Sequence, residues 1–218
     1  MSGYWKKIKL SKDSLKPPAR AYHCSISIAH EDKHFLFIFG GKSKDRTFND
    51  VWFFKLNNKE WTQIITNGEH PSPRYYSEMT RIQNKLVVFG GKNYELKMQE
   101  SGPVPTKSYL NDIYVLDLGT STWYNASIAN MVIPSPRCLH KMISLKNYIY
   151  LIGGGPDEGS SDMFKIELKE SVKEVALPHY IQQQEQQEVM DYTQESPSLS
   201  SSDVFDYRIA SKVNHIGV

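Results

Sequence analysis

One unit recurs three times along the chain, and this repetition constrains the fold more than any single motif does. Each copy joins an apolar run that ends on two glycines to a second apolar run that opens on a polar residue and an aspartate. The glycine pairs are Gly40-Gly41, Gly90-Gly91 and Gly153-Gly154. The openings are Asn49-Asp50, Asn111-Asp112 and Ser161-Asp162. A repeated supersecondary unit predicts three similar structural units that stack on one another.

Each unit is predicted to hold four short strands, which we call a to d. A proline-rich turn that ends in Arg20, Arg74 or Arg137 precedes strand a, in which polar and apolar residues alternate. Strand b ends on the glycine pair, strand c follows the aspartate, and strand d carries Trp61 or Trp123. Alternation with period two, bounded by turn residues, is typical of β-strands. We find no helical periodicity before residue 168.

These features closely resemble the kelch repeat, in which a double glycine, a polar loop, a hydrophobic strand and spaced aromatic residues follow one another. The resemblance extends over residues 4–168, with repeats at about 20–65, 74–128 and 137–168. It implies an all-β fold of four-stranded antiparallel blades in a β-propeller. The third copy departs from the pattern because no tryptophan follows Leu168.

The repeat positions have a structural interpretation. We expect the arginines to bridge to a carboxylate or carbonyl of a neighbouring blade, with Asp50, Asp112 and Asp162 as candidates, because a guanidinium has five donors in a fixed geometry. We expect the tryptophans, Trp5 included, to pack inside blades. The structural residues of the repeat are thus Gly40, Gly41, Gly90, Gly91, Gly153, Gly154, Trp61, Trp123, Arg20, Arg74 and Arg137.

The number of blades poses a problem, because propellers have four to eight of them. The chain supplies about three, which predicts an incomplete or open ring. The segment at residues 4–10 resembles a strand d and is expected to complete the third blade. Two interpretations of the open ring remain. The chain is a fragment of a longer kelch protein, or a second copy or another kelch segment completes the ring through exposed strand edges.

Residues 169–218 differ in kind from the repeats. They are rich in glutamine and serine and carry four basic against eight acidic residues. Such a composition buries too little apolar surface to offset the entropy of ordering, so we predict a largely disordered tail.

Composition and motifs argue against several functions. The net charge of +2 is too small to favour nucleic acid or a membrane surface as partner. No apolar segment suits a signal peptide or a membrane span, so we expect a cytoplasmic protein, with the nucleus as the alternative. The H-E-x-x-H match at residues 30–34 falls between strands a and b, where zinc ligation on one helix face is not available. We therefore expect no cofactor, no metal and no enzymatic activity.

The resemblance implies a protein-interaction platform whose b–c and d–a loops bind partners on one face. The b–c loops are residues 42–48, 92–109 and 156–161, and the d–a loops include 67–70 and 129–133. Candidate partner-binding residues are Lys42, Lys44, Arg46, His70, Lys92, Tyr94, Lys97, Lys107 and Asp157. Because most of them are basic, an acidic or phosphorylated peptide is the expected partner. The alternative function is a substrate-recruiting subunit of a larger complex, such as a ubiquitin ligase.

Overall fold

The computed structural model describes residues 3–10, 14–30, 33–99, 102–126, 133–156 and 159–167. The predicted disordered tail at 169–218 lies outside these residues. All the regular elements in the described part of the chain are β-strands, twelve in number, and they form three sheets. Within the same residues there is no helix of the length and apolar character needed to cross a membrane.

The first blade is a four-stranded antiparallel sheet in chain order. Its strands are β1 (Cys24–His30), β2 (Lys33–Phe39), β3 (Val51–Lys55) and β4 (Glu60–Ile64). All five residues of β3 are buried, because apolar side chains occupy both faces of this strand. The rings of Phe37 and Phe53 lie 5.6 Å apart between β2 and β3. Burying several such aromatic rings supplies much of the hydrophobic stabilisation of the blade.

The second blade has five strands. They are β5 (Asn67–Gly68), β6 (Glu78–Ile82), β7 (Lys85–Gln99), β8 (Gly102–Asp117) and β9 (Thr122–Asn125), in the spatial order β5-β9-β8-β7-β6. The short β5 lies in the linker after the first blade and pairs in parallel with β9. The linker therefore holds the outer edge of the second blade.

The third blade has three described strands. They are β10 (Lys141–Leu145), β11 (Tyr148–Ile152) and β12 (Met163–Glu167), all antiparallel. Its inner face packs on the second blade, where Met142, Ile149 and Leu151 join a buried cluster with Val87 and Val115. The first and second blades also meet through aromatic rings, since Phe39 and Trp123 have centroids 5.4 Å apart. These contacts make an all-β kelch-type arrangement of unclosed blades, as the sequence predicts.

The insertion at residues 92–109 is strand rather than loop, which corrects the sequence interpretation. Strands β7 and β8 continue past the glycine pair as a two-stranded ribbon, paired from Gly91 with Leu110 to Gln99 with Gly102. The register shifts between Phe89 and Gly91, which marks a β-bulge where the ribbon leaves the blade. Alternating polar and apolar residues at 92–98 suit such a ribbon. The segment was predicted as a loop because it is rich in charged residues.

The expectation that residues 4–10 form a closing strand is wrong. Residues 3–10 have no regular structure, and the side chain of Trp5 is fully exposed rather than packed in a blade. Most of its apolar residues are exposed, three lysines at positions 6, 7 and 9 stand among them, and lysine is a residue that disfavours strand pairing at sheet edges.

Candidate protein-binding surface

The b–c connections and the d–a linkers leave the blades at the same end, which we call the loop face. Three buried arginines hold the turns at this end. Arg74, for example, donates from Nη1 and Nη2 to the two carboxylate oxygens of Asp112, at 2.6 and 2.8 Å, and from Nη1 to the Gly90 carbonyl at 3.2 Å. Arg20 with Asp50, and Arg137 with Asp162, repeat this arrangement.

Each arginine binds the aspartate of its own repeat, so the prediction that it bridges to a neighbouring blade is wrong. Arg20 and Asp50 both belong to the first blade, and the guanidinium joins the start of strand a to the start of strand c. For Asp162 the hydrogen bond from Arg137 holds the carboxyl pKa below its usual value. A fork that binds both oxygens of a carboxylate fixes orientation as well as distance, so these bonds set the shape of each turn.

Neighbouring repeats are joined by the backbone of the same turns. The Gly41 amide donates to the Arg74 carbonyl at 2.8 Å, and the Arg74 amide donates to the Phe48 carbonyl at 3.0 Å. Gly40 has φ of +66°, and a Cβ there would lie 2.7 Å from the Arg74 carbonyl oxygen. Glycine is therefore required by both the left-handed backbone and the close approach of the next repeat.

Immediately after the anchored arginines, tyrosines from two repeats gather around two lysines. We call this group the tyrosine–lysine cluster, and its members are Tyr22, Tyr75, Tyr76, Tyr109, Lys42 and Lys92. The rings of Tyr22 and Tyr76 lie 4.4 Å apart, and those of Tyr75 and Tyr76 lie 5.2 Å apart. The Lys42 ammonium lies 4.8 Å from the centroid of Tyr75, and the Lys92 ammonium lies 4.5 Å from that of Tyr109.

The cluster is both charged and partly open to solvent. Tyr75 is buried, Tyr22 is exposed, and Lys42 and Lys92 are half-buried. A hydrogen bond with Tyr109 raises the pKa of Lys92 above its ordinary value, so this ammonium stays protonated well above neutral pH. The Tyr109 hydroxyl also donates to the Pro156 carbonyl, so the cluster reaches the b–c loop of the third repeat. A ring face under each ammonium stabilises its charge by cation–π attraction.

The structure brings together only some of the predicted partner-binding residues. Lys42 and Lys92 lie in the cluster, while Arg46 stacks on Phe48, with its guanidinium 4.6 Å from the ring centroid. His70 hydrogen-bonds to the Thr66 hydroxyl in the linker. The other five lie elsewhere or outside the described residues. Lys44, Tyr94 and Lys107 are exposed, Lys97 lies in β7 at the register position of Val104, and Asp157 is outside the described residues.

The tyrosines of the cluster are not among the residues that the sequence pattern predicts to bind a partner. Their signal was present, since Tyr22, Tyr76 and Leu139 stand two residues after the repeat arginine, and Tyr75 stands one residue after it. These three second positions all have left-handed backbone, with φ of 61°, 57° and 57°. The turn aims the side chains away from the strand alternation, which is why a pattern of period two did not select them.

Residues 30 and 34, the histidines of the H-E-x-x-H match, lie on two paired strands. His30 ends β1, and His34 lies in β2 opposite Ala29. Among the described residues there is no group of three or more His, Cys, Asp or Glu side chains that could hold a metal ion.

Antiparallel blades, left-handed glycine pairs and arginine-anchored turns together define a kelch-type β-propeller protein. The chain matches the family model for the KLHDC2/KLHL20/DRC7 Kelch-repeats domain over residues 1–180. The chain therefore belongs to the kelch-repeat family.

Curated relatives contain the same kind of segment in longer chains. Host cell factor of Drosophila melanogaster is 32% identical over 159 residues, which are 70% of this chain and 10% of that protein. Dynein regulatory complex subunit 7 of Chlamydomonas reinhardtii is 39% identical over 109 residues, 47% of this chain and 8% of that protein. N-(sulfonatooxy)prop-2-enimidothioate sulfolyase of Thlaspi arvense is 28% identical over 158 residues, 71% and 40% of the two chains. The aligned part spans less than half the length of each of these relatives.

Proposed function

We propose that this chain is a non-enzymatic protein-binding module that holds an acidic or phosphorylated peptide on its loop face. Kelch domains are interaction modules that bind protein partners, and membership of the family supports that class of function. The observation that carries the proposal is the meeting of Lys42 and Lys92, from different repeats, on one tyrosine cluster. Two cations held on a rigid scaffold suit a ligand with two or more negative charges.

The chemistry of the cluster supports a carboxylate or phosphate ligand. Each lysine offers three donors, and the tyrosines add hydroxyl groups and ring faces for the rest of a peptide. The turns beneath are fixed by Arg20 and Arg74, so little ordering entropy is lost when a ligand binds. Arg46 and Lys44 in the neighbouring b–c loop would extend the positive surface and speed association with an acidic partner.

A charge-reversal variant tests this proposal. Fluorescein-labelled peptides of one length, in acidic, serine-phosphorylated and neutral versions, are titrated with the protein and followed by fluorescence anisotropy. We expect the charged peptides to bind more tightly than the neutral one, and Lys42→Glu/Lys92→Glu to weaken their binding by at least about tenfold, which is about 1.4 kcal/mol. Binding of the charged peptides should also weaken as salt is raised.

A matched control separates the cluster from general charge effects. Lys59 and Lys146 lie in hairpin turns at the opposite end of the blades, so Lys59→Glu/Lys146→Glu makes the same change in net charge away from the loop face. This control should bind as the unmodified protein does. Equal losses in the two double variants, or equal affinity for charged and neutral peptides, would contradict the proposal.

The second candidate function is recruitment of a substrate to a larger complex such as a ubiquitin ligase. One relative carries the name of a complex subunit, the dynein regulatory complex subunit 7, which favours a role inside an assembly. An enzymatic role is suggested by the name of one of these relatives, the sulfolyase. The described residues include no group of three or more His, Cys, Asp or Glu side chains that could hold a catalytic metal ion. A partner found through the cluster can be tested for ubiquitin transfer in a reconstituted reaction, with the Lys42→Glu/Lys92→Glu variant as the negative control.

A further inference from the structure

The two internal junctions between blades use the same three backbone hydrogen bonds. At the first junction, Gly41 donates to Arg74 at 2.8 Å, Arg74 donates to Phe48 at 3.0 Å, and Tyr76 donates to Tyr22 at 3.0 Å. The second junction has the same bonds one repeat later. Its donor–acceptor pairs are Gly91 to Arg137 at 2.8 Å, Arg137 to Leu110 at 3.0 Å and Leu139 to Tyr76 at 3.4 Å. We call the arginine turn of each repeat the plug. We call the three groups of the preceding repeat that it bonds, which are the amide of the second glycine and two carbonyls, the socket.

The third repeat presents a socket that no described residue fills. By position in the repeat, its three groups are the Gly154 amide, the Ser160 carbonyl and the Leu139 carbonyl. The Ser160 assignment follows from Gly153, where a Cβ would lie 3.0 Å from the Ser160 oxygen, as a Cβ on Gly90 would lie 3.1 Å from the Leu110 oxygen. None of the three groups has a hydrogen-bond partner among the described residues.

The first repeat presents the matching plug. The Arg20 amide, the Arg20 carbonyl and the Tyr22 amide correspond to the three groups that Arg74 and Tyr76 use. They too have no hydrogen-bond partner within the part of the chain that the structure describes. The Arg20 side chain already binds Asp50 and the Gly40 carbonyl, so this turn is held in the same form as the two turns that fill internal sockets.

The outward face of the third blade carries exposed apolar side chains beside the exposed Lys165 and Glu167. Ile143, Leu145, Ile152 and Met163 are 54%, 60%, 36% and 63% exposed. By strand register, Leu145 corresponds to Ile82 of the second blade and Ile152 corresponds to Phe89. The third blade covers Ile82 and Phe89, which are only 5% and 4% exposed. On the first blade, Leu36 is 38% exposed, whereas Leu86, at the same position of the second blade, is fully buried. Grouped exposed apolar side chains mark an interaction surface.

We propose that the first blade of a second copy of this chain docks on the outward face of the third blade and repeats the internal junction. The contact joins different surfaces of the two copies, so it is heterologous, and it closes when each copy supplies both surfaces. Two copies of the three described blades give six blades, within the range of four to eight found in closed propellers. Closure also removes the exposed face and edge that each chain presents alone.

Sedimentation velocity between about 1 and 100 μM tests the contact. The unmodified chain of 25.1 kDa is expected to sediment as a dimer, and Ile143→Asp/Leu145→Asp as a monomer with unchanged circular dichroism. Ile65→Asp is the matched control, because Ile65 is also exposed but lies in the linker after β4, and it should remain dimeric. A monomer for the unmodified chain, a dimer that survives the double substitution, or species that grow beyond two copies would overturn the proposal.

Mixing two damaged chains tests the heterologous geometry. Leu36→Asp damages the first blade surface, and Ile143→Asp/Leu145→Asp damages the third, so each variant alone should be monomeric. A mixture retains one intact contact and should form a heterodimer that neither variant forms alone. Absence of this heterodimer would overturn the pairing of these two surfaces. None of the substituted residues belongs to the tyrosine–lysine cluster, so peptide binding by the monomeric variants reports on the proposed function independently.

Discussion

Arg74→Ala is expected to lower the free energy of unfolding by about 3 to 5 kcal/mol, the range for removing one partner of a buried ion pair. The Arg74 side chain is fully buried, and it binds the Asp112 carboxylate with both terminal nitrogens. It also donates to the Gly90 carbonyl and to the Ser72 carbonyl and hydroxyl. Removing it leaves a half-buried carboxylate and several acceptors without their donor, and the cavity adds a further cost.

Urea denaturation followed by circular dichroism measures this loss, with a midpoint about 1 to 2 M below that of the unmodified chain. Lys141→Ala is the comparison, because Lys141 and Glu78 form an ion pair in which the lysine is mostly exposed, and such pairs contribute about 0 to 1 kcal/mol. Arg74→Lys should fall between the two, since lysine keeps the charge but loses the two-pronged geometry. Similar midpoints for Arg74→Ala and Lys141→Ala would refute the role assigned to this turn.

The arginine anchors and the binding surface are physically coupled. Tyr75 and Tyr76 follow Arg74 directly, so the bonds that hold the Arg74 guanidinium also position two rings of the cluster. The Tyr76 amide donates a hydrogen bond to the Tyr22 carbonyl of the preceding repeat, and this bond fixes how closely the two tyrosines approach. The surface is therefore a product of the junction between repeats, and a single blade could not assemble it.

The repeat pattern was enough to predict the class of fold. Three glycine pairs, each preceded by a repeat arginine and followed by an aspartate that opens strand c, specify the same strand–loop–strand unit three times. Strand period two identifies the buried faces. Arg74 and Asp112 could be matched because both occupy fixed repeat positions. The pattern did not show that Arg74 binds the aspartate of its own repeat, because spacing along the chain does not determine which blade a side chain contacts.

Other features depend on geometry that a pattern does not carry. The cluster arises because Tyr22 and Tyr76 adopt left-handed backbone, and a turn of this kind redirects side chains out of the strand alternation. The ribbon at residues 92–99 and 102–109 was predicted as a loop because its charges outweighed its alternation. The segment at residues 3–10 has strand-like alternation. Its preference for β-structure is not enough to form a strand, because the segment has no buried face against which to pack.

Acidification is expected to destabilise the protein through His140. The side chain is fully buried, its ring lies edge-on to Phe89 with centroids 5.4 Å apart, and neither ring nitrogen has a hydrogen-bond partner among the described residues. Burial, helped by the charges of Arg137 and Lys141, lowers the pKa of His140 from its ordinary value of 6.5 to about 4. The folded state thus holds the neutral ring, while the unfolded chain gains a proton below pH 6.5. Stability from this group is complete above pH 6.5 and is lost as pH falls towards 4.

The expected loss at pH 5 relative to pH 7.5 is about 2 kcal/mol, from the shift of the pKa and 1.36 kcal/mol per unit. Urea midpoints at the two pH values measure it. His140→Leu removes the titrating ring at similar volume and should lose about 2 kcal/mol less between these pH values than the unmodified chain. The pKa of His23 is also lowered by burial and by Arg20, but this residue is present in both proteins, so its contribution cancels. An equal pH dependence in the two proteins would show that His140 is not the group whose protonation unfolds the chain.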